Sequence, residues 1–276
     1  MFWEFYGFQK EPFSITPDPD FLYLSDSHRE ALAQLIYGVD TKKGFIVVTG
    51  KIGVGKTTIL NAFLRQLVKT EVIPAFIFNT KLTPIDFFKL IADELGLHEP
   101  HSKAEFVLTL NNFLILCHSK GEGPVVLIID EAHNLSDELL EEIRLLLNLE
   151  TNTEKLLQIV LAGQPELWEK LKQPKLQQLR ERIFLSNIIE PLDSNDTVEY
   201  IRMRIKLSRG RFKNIFSKKA LKKIYKYSRG VPRLINLICT HAFISGYASG
   251  KKSIDSDIIK EVAKDLNLVR PRLFGW

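Results

Sequence analysis

Gly44–Leu60, GFIVVTGKIGVGKTTIL, is the stretch whose reading decides the fold. An apolar, β-branched run, Phe45–Thr49, meets a glycine-rich loop, which ends in Lys56-Thr57 before a helical pattern begins. Glycines let the backbone wrap closely around an anion with its amide hydrogens turned inward. The helix that follows aims the positive end of its dipole at the same charge. Gly50, Lys51, Ile52, Gly53, Val54, Gly55, Lys56 and Thr57 fit the pattern G-x-x-x-x-G-K-[ST]. In that pattern Lys56 reaches the β- and γ-phosphates of a nucleotide, and the Thr57 hydroxyl is a ligand for Mg²⁺. Thr58 is counted with the nucleotide-binding residues. A glycine turn of purely structural use is the competing reading, and the placement between a strand and a helix argues against it.

A second motif supports the first. Val125–Glu131, VVLIIDE, is an apolar strand ending in two carboxylates. At the end of a neighbouring strand Asp130 can hold Mg²⁺, directly or through water. Glu131 can orient and deprotonate an attacking water. Acidic pairs after strands also serve simply as helix-start residues, a reading that loses weight beside a phosphate loop. A base for water separates a hydrolase from a kinase, which has no water to activate. ATP and Mg²⁺ are the cofactors these two motifs predict.

Outward from these motifs, strands and helices alternate. Ser27–Gly38 reads as a helix, Phe45–Thr49 as a strand, Lys56–Val68 as a helix and Ala75–Asn79 as a strand. Pro84–Leu95 is a helix with Thr83 as its N-cap, and Ala104–Ser119 another. The strand Val125–Asp130, helix Ser136–Asn148, strand Leu157–Ala162 and helix Glu166–Lys172 follow, and Ile183–Ile189 is a fifth apolar run. Such alternation predicts a parallel sheet covered by helices on both faces. The strand and helix between the two motifs, Ala75–Leu95, fit the subclass of phosphate-loop folds with an inserted central strand. After Pro191 only helices are expected: Thr197–Ser208, Ser217–Ser228, Arg233–Gly246 and Asp255–Asp265. The predicted organisation is a lead-in at 1–43 packing on the core, an α/β core at 44–191, a small helical domain at 192–266 and a tail at 267–276.

The 276 residues are 45% hydrophobic and 26% charged, as in an ordinary soluble globular protein. No apolar run reaches the roughly 18 residues of a membrane span, and the start MFWEFYGFQKEPF lacks the pattern of a signal peptide. Cys117 and Cys239 are far apart in apolar helical contexts, which predicts buried free thiols and a reducing, cytoplasmic setting. The formal charge of +5 hides an asymmetry. Residues 201–276 hold 19 Lys/Arg against 4 Asp/Glu, and 12 basic residues with no acidic one lie between Arg202 and Arg229. That run suggests an anionic partner, DNA or an acidic membrane surface, or else a solvated helix face.

The chain resembles the AAA+ ATPases. The resemblance implies a three-layer αβα phosphate-loop core with a parallel five-stranded sheet, followed by a small all-helical lid. It implies a polar residue after the Leu157–Ala162 strand that touches the γ-phosphate and the attacking water; Gln164 stands there. It implies an arginine in QQLRERI that enters a neighbouring subunit's site, with Arg182 the first candidate and Arg180 the second. Gly230–Asn236, GVPRLIN, matches the family's G-x-P-R-x-[IL]-N segment, so Arg233 would point from the lid to the phosphates. The lead-in can fold back beside the phosphate-loop strand, making Tyr23, Leu24 and His28 candidates for an adenine slot, or for residues that fasten the lead-in.

The opening narrows the resemblance. Phe5-Tyr6-Gly7-Phe8, Glu11-Pro12-Phe13, Thr16-Pro17-Asp18-Pro19, Phe21–Ser25, His28 and Glu30-Ala31-Leu32 are very similar to the ExeA/GspA family, and Gly163–Leu167, GQPEL, matches as well. The similarity covers roughly residues 3–266. These are AAA+ ATPases of type II secretion and related pilus or exopolysaccharide assembly. The resemblance implies an ATP-promoted homo-oligomer, a hexamer among the candidates, with an envelope-assembly or inner-membrane partner protein at the cytoplasmic face. One departure is Lys51, where the family carries an acidic or small residue. Larger members continue into a membrane span and a peptidoglycan-binding domain, and Arg270–Trp276 reads as a basic-aromatic approach to a membrane. Two other functions stay open: a DNA-bound AAA+ regulator such as a transposition ATPase, favoured by the basic run, and a nucleotide switch that barely hydrolyses, disfavoured by Asp130-Glu131.

Overall fold

A computed structural model describes residues 2–14, 21–78, 81–151, 154–210, 212 and 215–269. Thr16–Pro19 of the family opening, Asn79, two cations of the basic run (Arg211, Lys213) and the tail Arg270–Trp276 lie outside the described residues. The chain forms two compact units. One is Asp26–Ile52 with Lys56–Ile189, and the other is Met1–Ser25, Gly53–Gly55 and Glu190–Trp276.

The first unit is an α/β sandwich. Its strands are β1 (Phe45–Gly50), β2 (Ile73–Ile77), β3 (Val125–Ile129), β4 (Leu157–Gly163) and β5 (Leu185–Ile189). All pair in parallel, in the order β2-β3-β4-β1-β5. Its helices are α2 (Asp26–Asp40), α3 (Lys56–Leu67), α4 (Pro84–Glu94), α5 (Lys103–Ser119), α6 (Asp137–Leu146), α7 (Pro165–Leu171) and α8 (Gln177–Arg180). Local chemistry sets their starts: Thr83, Ser102 and Ser136 each accept a hydrogen bond from the main-chain N–H three residues on.

Two expectations change. The strand inserted between the two motif strands is β4, which follows them in sequence, while β2, which lies between them in sequence, is a sheet edge. Sequence order does not report spatial order when helices carry each crossover. Every residue of β1, β3 and β4 is buried, but β5 alternates, exposing Ser186 and Ile188 at the other edge.

The register places the chemistry. Thr49 pairs with Gly163, and Leu161 with Ile129. The chain therefore leaves β1, β4 and β3 at one edge of the sheet, where Gly50, Gln164 and Asp130 stand, the edge at which parallel α/β sheets bind ligands.

The second unit is helical: α1 (Phe2–Phe5), α9 (Ser194–Leu207), α10 (Lys218–Ser228), α11 (Pro232–Ala248) and α12 (Ser256–Asp265). Phe243 is its centre, with ring centroids of Tyr6, Phe8, Phe13 and Phe216 at 4.7, 5.3, 5.8 and 5.4 Å. The lead-in expected against the core is thus divided, with Met1–Ser25 in the helical unit and α2 in the sheet unit. Phe8 and Phe13 join the apolar core of that unit. Arg204 locks it: buried, it donates to the carbonyls of Pro12 (2.6 Å) and Ser14 (3.3 Å) and to the Tyr200 hydroxyl (2.7 Å). One cation of the basic run is therefore an internal fastener, not surface. Cys117 and Cys239 are buried and free, and burial pushes both thiols up, Cys117 to about 11, so they stay protonated.

Gly230 carries a sharp stability expectation. It sits at φ +75°, and a Cβ there would lie 1.8 Å from the Leu192 carbonyl oxygen. No rotamer relieves a clash with backbone. Gly230→Ala is expected to destabilise the helical unit by about 3 kcal/mol or more. Urea unfolding followed by circular dichroism measures it, and a change below 1 kcal/mol would contradict this packing.

Candidate functional site

In the sheet unit β1 ends at Gly50, and α3 begins at Lys56. The loop between them uses Gly53 at φ +77° and Gly55 at φ +112°, backbone regions that side chains rarely adopt. Lys56 is 6% exposed, and its ammonium donates to the carbonyls of Gly50 (2.9 Å) and Lys51 (3.3 Å). Burial pulls its pKa down, and the carboxylates of Glu131, Asp130 and Glu166 oppose the shift. The site thus holds a desolvated cation whose partners are neutral carbonyls, which an anion can displace. Lys51 and Ile52 are exposed, and Thr57 and Thr58 half-buried.

Asp130 follows β3 and is buried. One carboxylate oxygen accepts from the Thr57 hydroxyl at 2.6 Å, and the other from the Glu131 main-chain N–H at 2.8 Å. A hydroxyl and a carboxylate this close are hard oxygen donors of the kind Mg²⁺ takes, the rest of its shell coming from phosphate and water. Among the described residues no three His, Cys, Asp or Glu converge as a metal cage.

Glu131 stands at φ +51°, the left-handed region, and opens a short 3₁₀ turn, Ala132–Asn134. A non-glycine residue there costs of order 1 kcal/mol or more and re-aims its side chain. Its carboxylate lies 3.4 Å from His133 Nδ1. Gln164 caps the start of α7, and its amide Nε2 lies 3.0 Å from His133 Nε2. The ring is thus bracketed, with the Gln164 side chain at Nε2 and the Glu131 carboxylate at Nδ1. The Gln164 main-chain N–H also donates to Nδ1, at 3.5 Å. Lys170 pins this turn by donating to the carbonyls of His133 (3.1 Å) and Leu135 (2.6 Å). Sequence reasoning missed His133; its only signal was a histidine two residues after the carboxylate pair.

The candidate arginines differ. Arg180 donates to the Lys172 carbonyl at 3.1 Å. Arg182, half-buried, has no side-chain hydrogen bond or ion pair among the described residues, and it precedes exposed Phe184 and the edge strand β5. In the helical unit, Arg233 is exposed in the first turn of α11, and its main-chain N–H donates to the Gly53 carbonyl at 3.3 Å. A Cβ on Gly53 would come within 2.8 Å of the Arg233 Cβ, so this glycine permits the approach. Tyr23 donates to Asp196 at 2.6 Å and meets Tyr200 edge-on, a fastening role. Leu24 is half-buried in the same unit, and His28 is buried in α2 of the other.

An AAA domain family model matches residues 39–171, which span β1 to β4 and the motifs just described. The chain thus carries an AAA domain over its phosphate-loop core. The fold agrees: Cdc6p from Pyrobaculum aerophilum is 18% identical with a TM-score of 0.69, over 96% of this chain and 71% of that one. The ORC2 protein of Aeropyrum pernix is 15% identical with a TM-score of 0.63, over 91% and 72%. The Thermotoga maritima RuvB Holliday junction branch migration motor is 17% identical with a TM-score of 0.55, over 88% and 70%. At such identities the likeness is one of fold. The ExeA/GspA resemblance is carried by General secretion pathway protein A of Aeromonas hydrophila, 40% identical over 271 residues, 98% of this chain. The chain spans about half the length of that curated relative, 49%. An AAA domain of this fold implies nucleotide binding. Among the described residues no helix is long and apolar enough to cross a membrane.

Proposed function

We propose that this ATPase works with Mg²⁺ and drives or regulates assembly of a bacterial envelope complex of the type II secretion, pilus or exopolysaccharide kind. The reading of pathway class rests on one observation, the 40% identity to General secretion pathway protein A across almost the whole chain. Lys56 exchanges its two carbonyls for the β- and γ-phosphate oxygens. Thr57 and Asp130 hold the metal, which when bound neutralises charge on the phosphates. Glu131 takes a proton from the attacking water, and the His133 ring beside it positions its carboxylate. Gln164, bonded to the same imidazole, carries the state of the γ-phosphate to the base. Arg182 serves a neighbouring copy in an ATP-promoted homo-oligomer, and Arg233 reads the phosphates from the helical unit. The protein acts at the cytoplasmic face of the inner membrane, where ATP is available.

Glu131→Gln tests both parts. The substitution keeps the shape and removes the base. Nucleotide affinity is expected to hold while turnover falls by roughly 10²-fold or more. In the source cell, a deletion complemented by Glu131→Gln should lack the secreted or assembled product that wild type restores. Near-normal turnover would assign water activation to another group. Full complementation by an inactive chain would show that assembly does not need hydrolysis and would remove the driving role. The DNA-regulator reading is favoured by the basic run, which however spends Arg204 internally and pairs Arg202 with Glu199. DNA binding through the remaining cations should weaken steeply as salt rises.

A further inference from the structure

The helical unit holds a mostly apolar cleft of about 710 Å³ between α9 and α10, within the size range of ligand sites. Val198, Phe212, Phe216, Leu221 and Tyr225 give it apolar walls, and Arg202, Lys218 and Lys222 its charge. No carboxylate is among the lining residues. We infer that this cleft is a docking groove for a partner protein's peptide segment that carries bulky apolar side chains interleaved with Asp or Glu.

Three features converge on that occupant. Arg202 is already engaged, paired with Glu199 and lying 5.0 Å over the Phe212 ring. Lys218 and Lys222 are exposed and have no ion-pair partner among the described residues. Lys218 also sits in the first turn of α10, which has no acidic residue there. Ser217 caps α10 by accepting from the Ala220 N–H, but a cation at a helix N-terminus opposes the macrodipole, so Lys218 and the helix end both gain when a carboxylate arrives. The apolar walls then select among anions. A phosphodiester backbone has nothing to place against Val198, Leu221 and Phe216, and a flat headgroup layer does not fill a cleft. A peptide with apolar and acidic side chains at helical spacing places one set in the groove and the other on the rim, as amphipathic helices do in other grooves. The partner class is independent of the ATPase site, which lies in other residues.

Selection of a random 12-residue peptide library on the wild-type chain tests it. The enriched peptides are expected to combine aromatic or aliphatic residues with two or more Asp/Glu. A synthetic, fluorescein-labelled winner should lose at least 10-fold in affinity, by anisotropy, on Lys218→Glu/Lys222→Glu. It should lose as much on Val198→Trp, which fills the cleft without changing charge. ATP turnover of both variants should equal wild type, which separates failure of this inference from failure of the ATPase reading. Enrichment of basic peptides, or winners insensitive to both variants, would overturn the inference. So would duplex DNA or phosphatidylglycerol vesicles whose binding Val198→Trp abolishes, since the cleft would then belong to that class.

Discussion

Arg182→Ala is expected to leave ATP affinity of the isolated chain intact and to abolish the rise of turnover with protein concentration. On the proposed reading, Lys56, Asp130, Glu131 and Gln164 of one copy would supply binding, metal and base. None of them neutralises the outer face of the γ-phosphate. An arginine given by a neighbour does so in other nucleotide hydrolases, at about 10³ to 10⁵ in rate. Arg182 suits this use better than Arg180, because its guanidinium has no partner among the described residues while that of Arg180 is spent on Lys172. It also lies beside the edge strand β5 with exposed Phe184 and Ile188, apolar surface at hand for a second copy. Wild-type turnover per chain should climb with concentration and saturate, and ATP should promote the oligomer. Mixing Arg182→Ala with Glu131→Gln should restore part of the activity, since one interface then joins an intact base to an intact arginine. Turnover independent of concentration, with Arg182→Ala unaffected, would remove both the arginine and the assembly model. Loss in Arg180→Ala alone would move the role to that residue.

Lys56→Ala is expected to weaken binding of a non-hydrolysable ATP analogue by about 10²-fold or more, read by titration calorimetry. Charge-assisted hydrogen bonds are each worth about 1.5–3 kcal/mol, and a tenfold change is about 1.4 kcal/mol. The same change should barely lower thermal stability. Burial already pulls the Lys56 pKa down, so the ammonium is held at an energetic cost that its removal relieves. Its loss leaves the buried Gly50 carbonyl and the part-buried Lys51 carbonyl without that donor, a cost that offsets the relief. Lost binding with an unchanged melting temperature separates a binding lysine from a structural one. Near-normal affinity would sink the phosphate-loop assignment.

Much was legible in the sequence because its signals are short-range. The glycines at 50, 53 and 55, the Lys56-Thr57 pair and the run ending in Asp130-Glu131 are read without knowing any contact. The cap at Thr83 and the period of the apolar residues placed helix and strand ends within a few residues. His133 was not legible: its use depends on β3 and β4 ending side by side, which brings Gln164 within 3.0 Å of its ring.

By itself, then, the sequence determined the element types, the phosphate loop and its acidic partner strand, because glycine dihedrals, caps and hydrophobic period act over a few residues. Only the tertiary structure decided which strand is inserted beside β1, since helical crossovers let any strand take that place. It alone decided that the N-terminal aromatics pack around Phe243 rather than on the sheet, and that Arg204 is a buried fastener while Lys218 and Lys222 stay open on a cleft. A run of like charges reads the same in sequence whether its members point inward or out. Burial and partner geometry separate them, and those exist only once the chain has folded.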